Sequence, residues 1–300
     1  MLAANEQVTN AMSQERRFTF EGRDGTLIAA YHWPAVGSVR GIVQISHGMG
    51  EHARRYATPM LPIREAGFSI YAEDHRGHGA TAPDASSLGD FGPGGFIGIV
   101  DDMAVLSLIA RRENPEKKLI LLGHSLGSFA LQIYLLTYSG LIDGAVLSGS
   151  AALDLLPPPD PKGAGLESFN APFEPARTKF DWLSRDHAQV DAYVEDPFCG
   201  FSATPDSMIS IFAAAVALFE PQALSRIERK LPIYLFSGDR DPLNGGLAYL
   251  KPLVDRYRAA GIADVSCDFY VDGRHEMLNE INREEVVANL LAWIERVVSR

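Results

Sequence analysis

The strongest constraint on the fold is an apolar run that ends abruptly on a glycine-flanked serine. Residues 118–122 read Lys-Leu-Ile-Leu-Leu, nearly all apolar, as a strand buried on both faces of a parallel sheet requires. They lead straight into Gly123–His124–Ser125–Leu126–Gly127, after which the spacing predicts a helix from Leu126 to about Tyr138, stopped by Gly140. Strand, tight turn and helix in immediate succession put Ser125 at the C-terminal edge of such a sheet, where ligands bind.

The same alternation recurs along the chain. Two antiparallel strands, 17–21 and Leu27–Trp33, joined by a turn at Gly22–Gly25, precede strands at Gly41–Ser46 and 68–72. Further strands are predicted at 144–147, 233–236 and Val265–Tyr270, and helices at 54–66, 96–112, 247–260 and Arg283–Val298. Pro59 and Pro62 must break part of the first helix. The expectation is an α/β fold with a mainly parallel, doubly wound sheet and an antiparallel start. The rhythm fails once. From 152 to 231 no strand is evident, and Pro157–Pro158–Pro159 lies at the entry. Such a stretch is too long for a simple connection. The predicted organisation is therefore a core in two parts, 1–151 and 232–300, around an inserted cap at 152–231. Within the cap, residues 208–219 (MISIFAAAVALF) are apolar on nearly every face, so this helix packs on the core, lines an apolar pocket or faces lipid.

A Gly-x-Ser-x-Gly match alone is weak, but here a buried strand enters it and a helix leaves it, as a nucleophile elbow requires. A serine hydroxyl needs a base to take its proton as it attacks. In this arrangement the partners follow the serine as acid and then histidine. Of the eight histidines only His187 and His275 come after Ser125. His187 falls in the insertion and reads as a surface or cap residue. His275 lies in Asp272–Gly273–Arg274–His275, just past the last strand, and is the predicted base. Asp239 and Asp241 compete for the orienting carboxylate. Asp241 is favoured, because the turn at Gly238 must finish before a side chain can reach across the edge, and Asp239 reads as a turn-stabilising residue. Oxyanion donors are expected from the backbone N–H groups of Leu126 and of Met49 in His47–Gly48–Met49–Gly50, with His47 structural beneath them.

Other features exclude alternatives. Asp74–His75–Arg76–Gly77–His78–Gly79 pairs two histidines without a clear further ligand set, and reads as a turn held by buried polar contacts rather than a metal site. The glycines of Phe91–Gly92–Pro93–Gly94–Gly95 do not follow a phosphate-loop pattern. No cofactor or metal is expected. Cys199 and Cys267 read as free thiols. A net charge of -11 argues against nucleic-acid binding and against electrostatic adhesion to anionic lipid, while leaving transient hydrophobic contact of the cap with a membrane or micelle open. The polar opening, 1–17, lacks an apolar leader, and the longest apolar run, 209–219, is about half of a membrane span, so a cytoplasmic location is expected.

Five motifs in order carry a resemblance: His47–Gly48–Met49–Gly50–Glu51–His52 with Arg55–Tyr56; Asp74–His75–Arg76–Gly77–His78–Gly79; Gly123–His124–Ser125–Leu126–Gly127; Gly238–Asp239–Arg240–Asp241; and His275–Glu276–Met277–Leu278–Asn279–Glu280. The chain resembles the α/β-hydrolase branch that contains monoacylglycerol lipases, lysophospholipases and S33-type aminopeptidase-like proteins. That resemblance implies an eight-stranded core, a cap after the sixth strand, and cofactor-free acyl hydrolysis by Ser125, His275 and Asp241. The expected activity is hydrolysis of a lipid-like ester of the monoacylglycerol or lysophospholipid type. A small-molecule esterase, lactonase, amidase or acyltransferase using the same residues is the alternative. A catalytically idle fold used as a receptor is disfavoured, because all three side chains are present.

Overall fold

The computed structural model describes residues 15–157, 165–220 and 222–300. Most of the polar opening and the prolines at 158 and 159 lie outside them. The strands are β1 (Arg16–Glu21), β2 (Leu27–Trp33), β3 (Gly41–Ser46), β4 (Phe68–Glu73), β5 (Leu119–His124), β6 (Gly144–Ser148), β7 (Ile233–Gly238) and β8 (Val265–Tyr270). They form one sheet in the order β1-β2-β4-β3-β5-β6-β7-β8. β2 runs antiparallel to β1 and β4, and every other pairing is parallel. The expected α/β-hydrolase architecture, with its antiparallel start, is the one observed.

Period-two alternation distributes each central strand between two cores. Leu119 and Leu121 of β5 join Ile42, Leu147 and Leu235 on one face, under the helices Gly95–Glu113 and Leu126–Tyr138. Ile120 and Leu122 point the other way, with Val43, Val146 and Phe236, toward the helix Arg283–Val298. Residues of β3 to β7 are buried at every position, so these strands carry no polar alternation. Exposed positions remain only on β1, at Leu27 where β2 begins, and on β8.

Local chemistry explains where helices depart from the sequence spacing. The 54–66 pattern divides into a 3-10 turn, Ala53–Tyr56, and a short helix, Leu61–Glu65, that accepts Pro62 in its first turn. The helix expected from 247 starts only at Lys251, because Gly245, Gly246 and Leu247 all have positive φ. Between β6 and β7 no strand occurs among the described residues. Short 3-10 turns and two helices, His187–Glu195 and Pro205–Ala215, fill the segment. Trp182, Leu183 and Tyr193 form a small core of their own there, packed by Leu166, Phe169, Phe173 and Phe180. The apolar helix is part buried and part exposed. Ile211, Ala214 and Ala215 face inward, whereas Ile209 and Val216 are 65% and 60% exposed. Among the described residues no helix is long and apolar enough to cross a membrane.

The turn after β4 is fixed by Arg76. Its guanidinium grips Asp102 on the Gly95–Glu113 helix (Nε to Oδ2, 2.6 Å; Nη2 to Oδ1, 3.0 Å) and Asp24 in the β1–β2 turn (2.5 and 2.9 Å). Asp102 is buried, and burial raises its carboxyl pKa even against the opposing pull of Arg76. Arg76→Met should therefore cost about 3–5 kcal/mol in urea denaturation at pH 7, because it strands a buried charge. The deficit should shrink as pH falls and Asp102 takes up a proton. A deficit of the same size at pH 4 and pH 7 would refute this account.

Candidate active site

Ser125 joins β5 to the following helix at φ 52°, ψ -118°, a conformation that costs a non-glycine residue about 1–3 kcal/mol. The surroundings hold it there. Its N–H donates to Ser148 O at the end of β6 (3.0 Å), and its carbonyl accepts from the N–H groups of Ser128 (2.8 Å) and Phe129 (3.1 Å). A Cβ at Gly123 would lie 2.4 Å from Gly127 O, and one at Gly127 would lie 2.1 Å from Ser46 O. Both flanking positions must therefore be glycine for the backbone to close on itself.

β3 and β5 are neighbours, while β4 lies on the other side of β3, so the sheet reverses its winding direction between them. The loop after β3 and the elbow after β5 consequently meet at this switch point. A Cβ on Gly48 would sit 3.1 Å from Ser125 Cβ, which measures how closely the His47–Gly50 turn approaches. Among the described residues no protein acceptor takes the N–H of Met49 or of Leu126, and both residues line the cavity that holds Ser125. His47 lies beneath: Nδ1 donates to Gly48 O (2.7 Å) and Nε2 accepts from the His75 N–H (2.9 Å). His78 Nε2 accepts from the Gly50 N–H (3.3 Å). Burial pushes His75 and His78 down to about 3 and His47 well below its ordinary value, so these imidazoles stay neutral. They act as fixed struts for the turn.

His275 is built differently. It too is buried, which by itself disfavours the imidazolium, but the Asp241 carboxylate beside it outweighs burial and the net shift is upward. Nδ1 of His275 lies 2.9 Å from Asp241 Oδ2. Asp241 is oriented in turn by the Leu243 N–H (2.9 Å) and Asn244 Nδ2 (3.2 Å). The imidazole lies 4.8 Å, centroid to centroid, from the ring of His124, the residue before Ser125, and 4.8 Å from the ring of Trp182. Ser125 and His275 line one cavity of about 590 Å³, whose walls are mostly apolar and include Phe129, Leu153, Met208 and Phe212. Asp239 stays outside this arrangement, accepting the Asp272 N–H across to the turn after β8 (2.8 Å). His187 opens a helix in the inserted segment and is not among the residues lining the cavity. All five sequence-predicted residues therefore gather at one edge of the sheet.

Several residues to which the sequence assigned no role tie this edge together. Arg55 is bidentate on Glu276 (2.6 and 2.8 Å) and also donates to Glu51 (2.6 Å), whose other oxygen accepts from the Gly48 N–H (2.6 Å) and the Tyr56 hydroxyl (2.9 Å). Burial alone would lower the Arg55 pKa and raise that of Glu51; the ion pairs reverse both. From the inserted segment, the carbonyls of Trp182 and Leu183 accept from the N–H groups of His275 (3.4 Å) and Glu276 (2.8 Å). Arg185 pairs with Glu280 (3.0 Å). Glu276 lies 221 residues from Arg55, and nothing local in the sequence announces the contact.

The family model described as serine aminopeptidase, S33, matches residues 37–282. A monoacylglycerol lipase of Mycolicibacterium smegmatis is 31% identical over 285 residues, covering 94% of this chain and 98% of that protein. A monoglyceride lipase of Rattus norvegicus is 28% identical over 236 residues, covering 73% of this chain and 71% of its own. Among solved structures, a thermostable carboxyl esterase from Bacillus coagulans, in complex with glycerol, superposes with a TM-score of 0.83 at 28% identity, over 95% of this chain and 99% of that one.

The raised pKa of His275 has a definite sign. Its pairing with Asp241 contributes stability that is fully present below the ordinary histidine value of about 6.5 and is lost as pH rises through the folded value. NMR titration should place His275 above about 6.5, and in Asp241→Asn lower than in the parent, since the largest opposition to burial is then removed. A His275 pKa unchanged by Asp241→Asn would show that the carboxylate does not set it.

Proposed function

Because the chain belongs to the serine aminopeptidase S33 family, we propose that it is a serine carboxylester hydrolase of lipid-like esters, with Ser125, His275 and Asp241 as its catalytic set. The observation that carries this reading is the Asp241-bound imidazole of His275 lining the same apolar cavity as the strained Ser125. Ser125 Oγ attacks the ester carbonyl while His275 takes its proton, and the N–H groups of Met49 and Leu126 receive the oxyanion. His275 then protonates the departing alcohol, and a water activated by the same imidazole releases the acid. Asp241 holds the ring by Nδ1, which leaves Nε2 to exchange the proton.

A monoacylglycerol is the substrate that fits best. The cavity has the volume of a small-molecule pocket, and its apolar wall suits an acyl chain. Glu51 and Glu276 bring carboxylates to its lining, which suits an uncharged alcohol better than an anionic one. Residues 152–231 act as the cap over this cavity, contributing Leu153, Leu166, Trp182, Met208 and Phe212 to its walls. The exposed Ile209 and Val216 offer a surface for transient contact with a micelle or membrane.

Purified protein should hydrolyse 4-nitrophenyl esters and 1-monoacylglycerols with a kcat/KM that rises with chain length into the medium range. No turnover at any length would sink the reading, and activity confined to acetate would replace the lipid ester with a small one. Ser125→Ala and His275→Ala should each lower kcat by about 10⁶, and Asp241→Asn by about 10⁴. Only neutral His275 can accept the proton, so kcat/KM should fall as pH drops through a value above about 6.5. An acid limb centred well below 6 would mean that another group is the base.

A further inference from the structure

Beyond the cavity, the described residues bring together one group of three side chains with the chemistry of metal ligands, His52, Asp196 and Cys199. They come from two parts of the chain. His52 follows the Gly48–Gly50 turn that holds Met49. Asp196 and Cys199 come from a single turn after the His187–Glu195 helix, in which the Cys199 N–H donates to Asp196 O (3.0 Å) and the Phe198 N–H to Asp196 Oδ1 (2.8 Å). That Asp-x-x-Cys spacing delivers two ligand types from one turn, as the Cys-x-x-Cys turns of zinc sites do. His52 Nε2 reaches Asp196 Oδ2 at 2.9 Å, and one ligand atom from each of the three residues lies within 4.8 Å of the others. All three are half-buried, so an ion can enter from solvent.

We propose that His52, Asp196 and Cys199 form a binding site for a thiophilic divalent cation of the Zn²⁺ type, joining the inserted segment to the loop that carries Met49. Imidazole, carboxylate and thiolate together select Zn²⁺ or Co²⁺ over Mg²⁺ or Ca²⁺. Tetrahedral bonds of about 2.0–2.3 Å need ligand atoms roughly 3.3–3.8 Å apart, so the present spacing needs only side-chain adjustments, with water as the fourth ligand. Coordination removes the thiol proton of Cys199 to solvent, and the two anionic ligands then balance the dication. Burial raises the Cys199 thiol pKa; the Arg55 guanidinium opposes this, and Asp196, Glu51 and Glu276 add to it. The Asp196 carboxylate, itself a ligand, favours a cation. The nearby guanidinium of Arg55 is already matched by Glu51 and Glu276. The Gly50 carbonyl already accepts from Tyr193 Oη (2.7 Å) and the Gly200 N–H (2.9 Å), so the ion adds a third tie along one seam.

The test uses the full chain after chelator treatment. Calorimetry with Zn²⁺ alone should give one ion per chain with release of a proton, and Zn²⁺ should raise the Tm. Co²⁺ should produce a thiolate-to-metal charge-transfer band. Cys199→Ser and His52→Ala should each weaken Zn²⁺ binding by more than the roughly 100-fold that marks loss of an outer-shell partner. Cys267→Ser should leave it unchanged. The far-UV circular dichroism and Tm of metal-free Cys199→Ser should match those of the metal-free parent, which shows that lost binding is not lost folding. Absence of binding at millimolar Zn²⁺, binding that survives Cys199→Ser, or a cobalt complex without the thiolate band would each overturn the proposal. These readouts need no substrate, so failure of the proposed hydrolase function would leave them standing.

Discussion

The guanidinium of Arg55, held between Glu51 and Glu276, is the contact on which the geometry of the site depends. One carboxylate fixes the Gly48 N–H, one residue from Met49; the other belongs to the residue after His275. A single buried cation thus sets the spacing between the turn after β3 and the turn after β8, which no strand pairing connects. Taking three charges out of water is expensive, and only their mutual hydrogen bonds offset it. The same cost makes the arrangement all-or-none: a loop that drifted would leave a buried charge unmatched. Tyr193 stacks its ring under the guanidinium (4.8 Å) and donates to Gly50 O, so the inserted segment joins the same lock.

Five buried imidazoles near this edge illustrate how environment assigns roles. His47, His75, His78 and His124 have their pKa values lowered, with burial as the largest cause in each. His275 is as buried as they are, yet its pKa is raised, because Asp241 contacts its ring. Residue type does not separate these histidines; the carboxylate does. Pushing titratable groups apart in this way is how a site acquires one proton acceptor among several candidates.

The segment between β6 and β7 does two things at once. Its Trp182–Arg185 stretch is stitched to the His275–Glu280 loop by backbone and ionic contacts, while the Pro205–Ala215 helix contributes apolar wall and leaves Ile209 and Val216 in solvent. One part supports the imidazole and the other shapes the entrance.

The sheet and the elbow were legible in the residues alone, as was the expectation of Ser125, His275 and Asp241 at one edge. Those features are local: a fully apolar strand, glycines that a Cβ would make impossible, and a fixed chain order of partners. The sequence also favoured Asp241 over Asp239 by a turn-geometry argument; Asp241 contacts the His275 ring and Asp239 the Asp272 N–H. Helix starts near Pro62 and Gly245 were less legible, because a few positive-φ or proline residues override a spacing pattern. What only the tertiary structure decided is long-range. Arg55 meets Glu276, Trp182 packs on His275, and His52 meets Asp196, through contacts between residues far apart in the chain. Hydrophobic periodicity records which way a residue faces its own element. It carries no information about which distant charge will be waiting there, and that is fixed only when the loops close over the sheet edge and water is excluded.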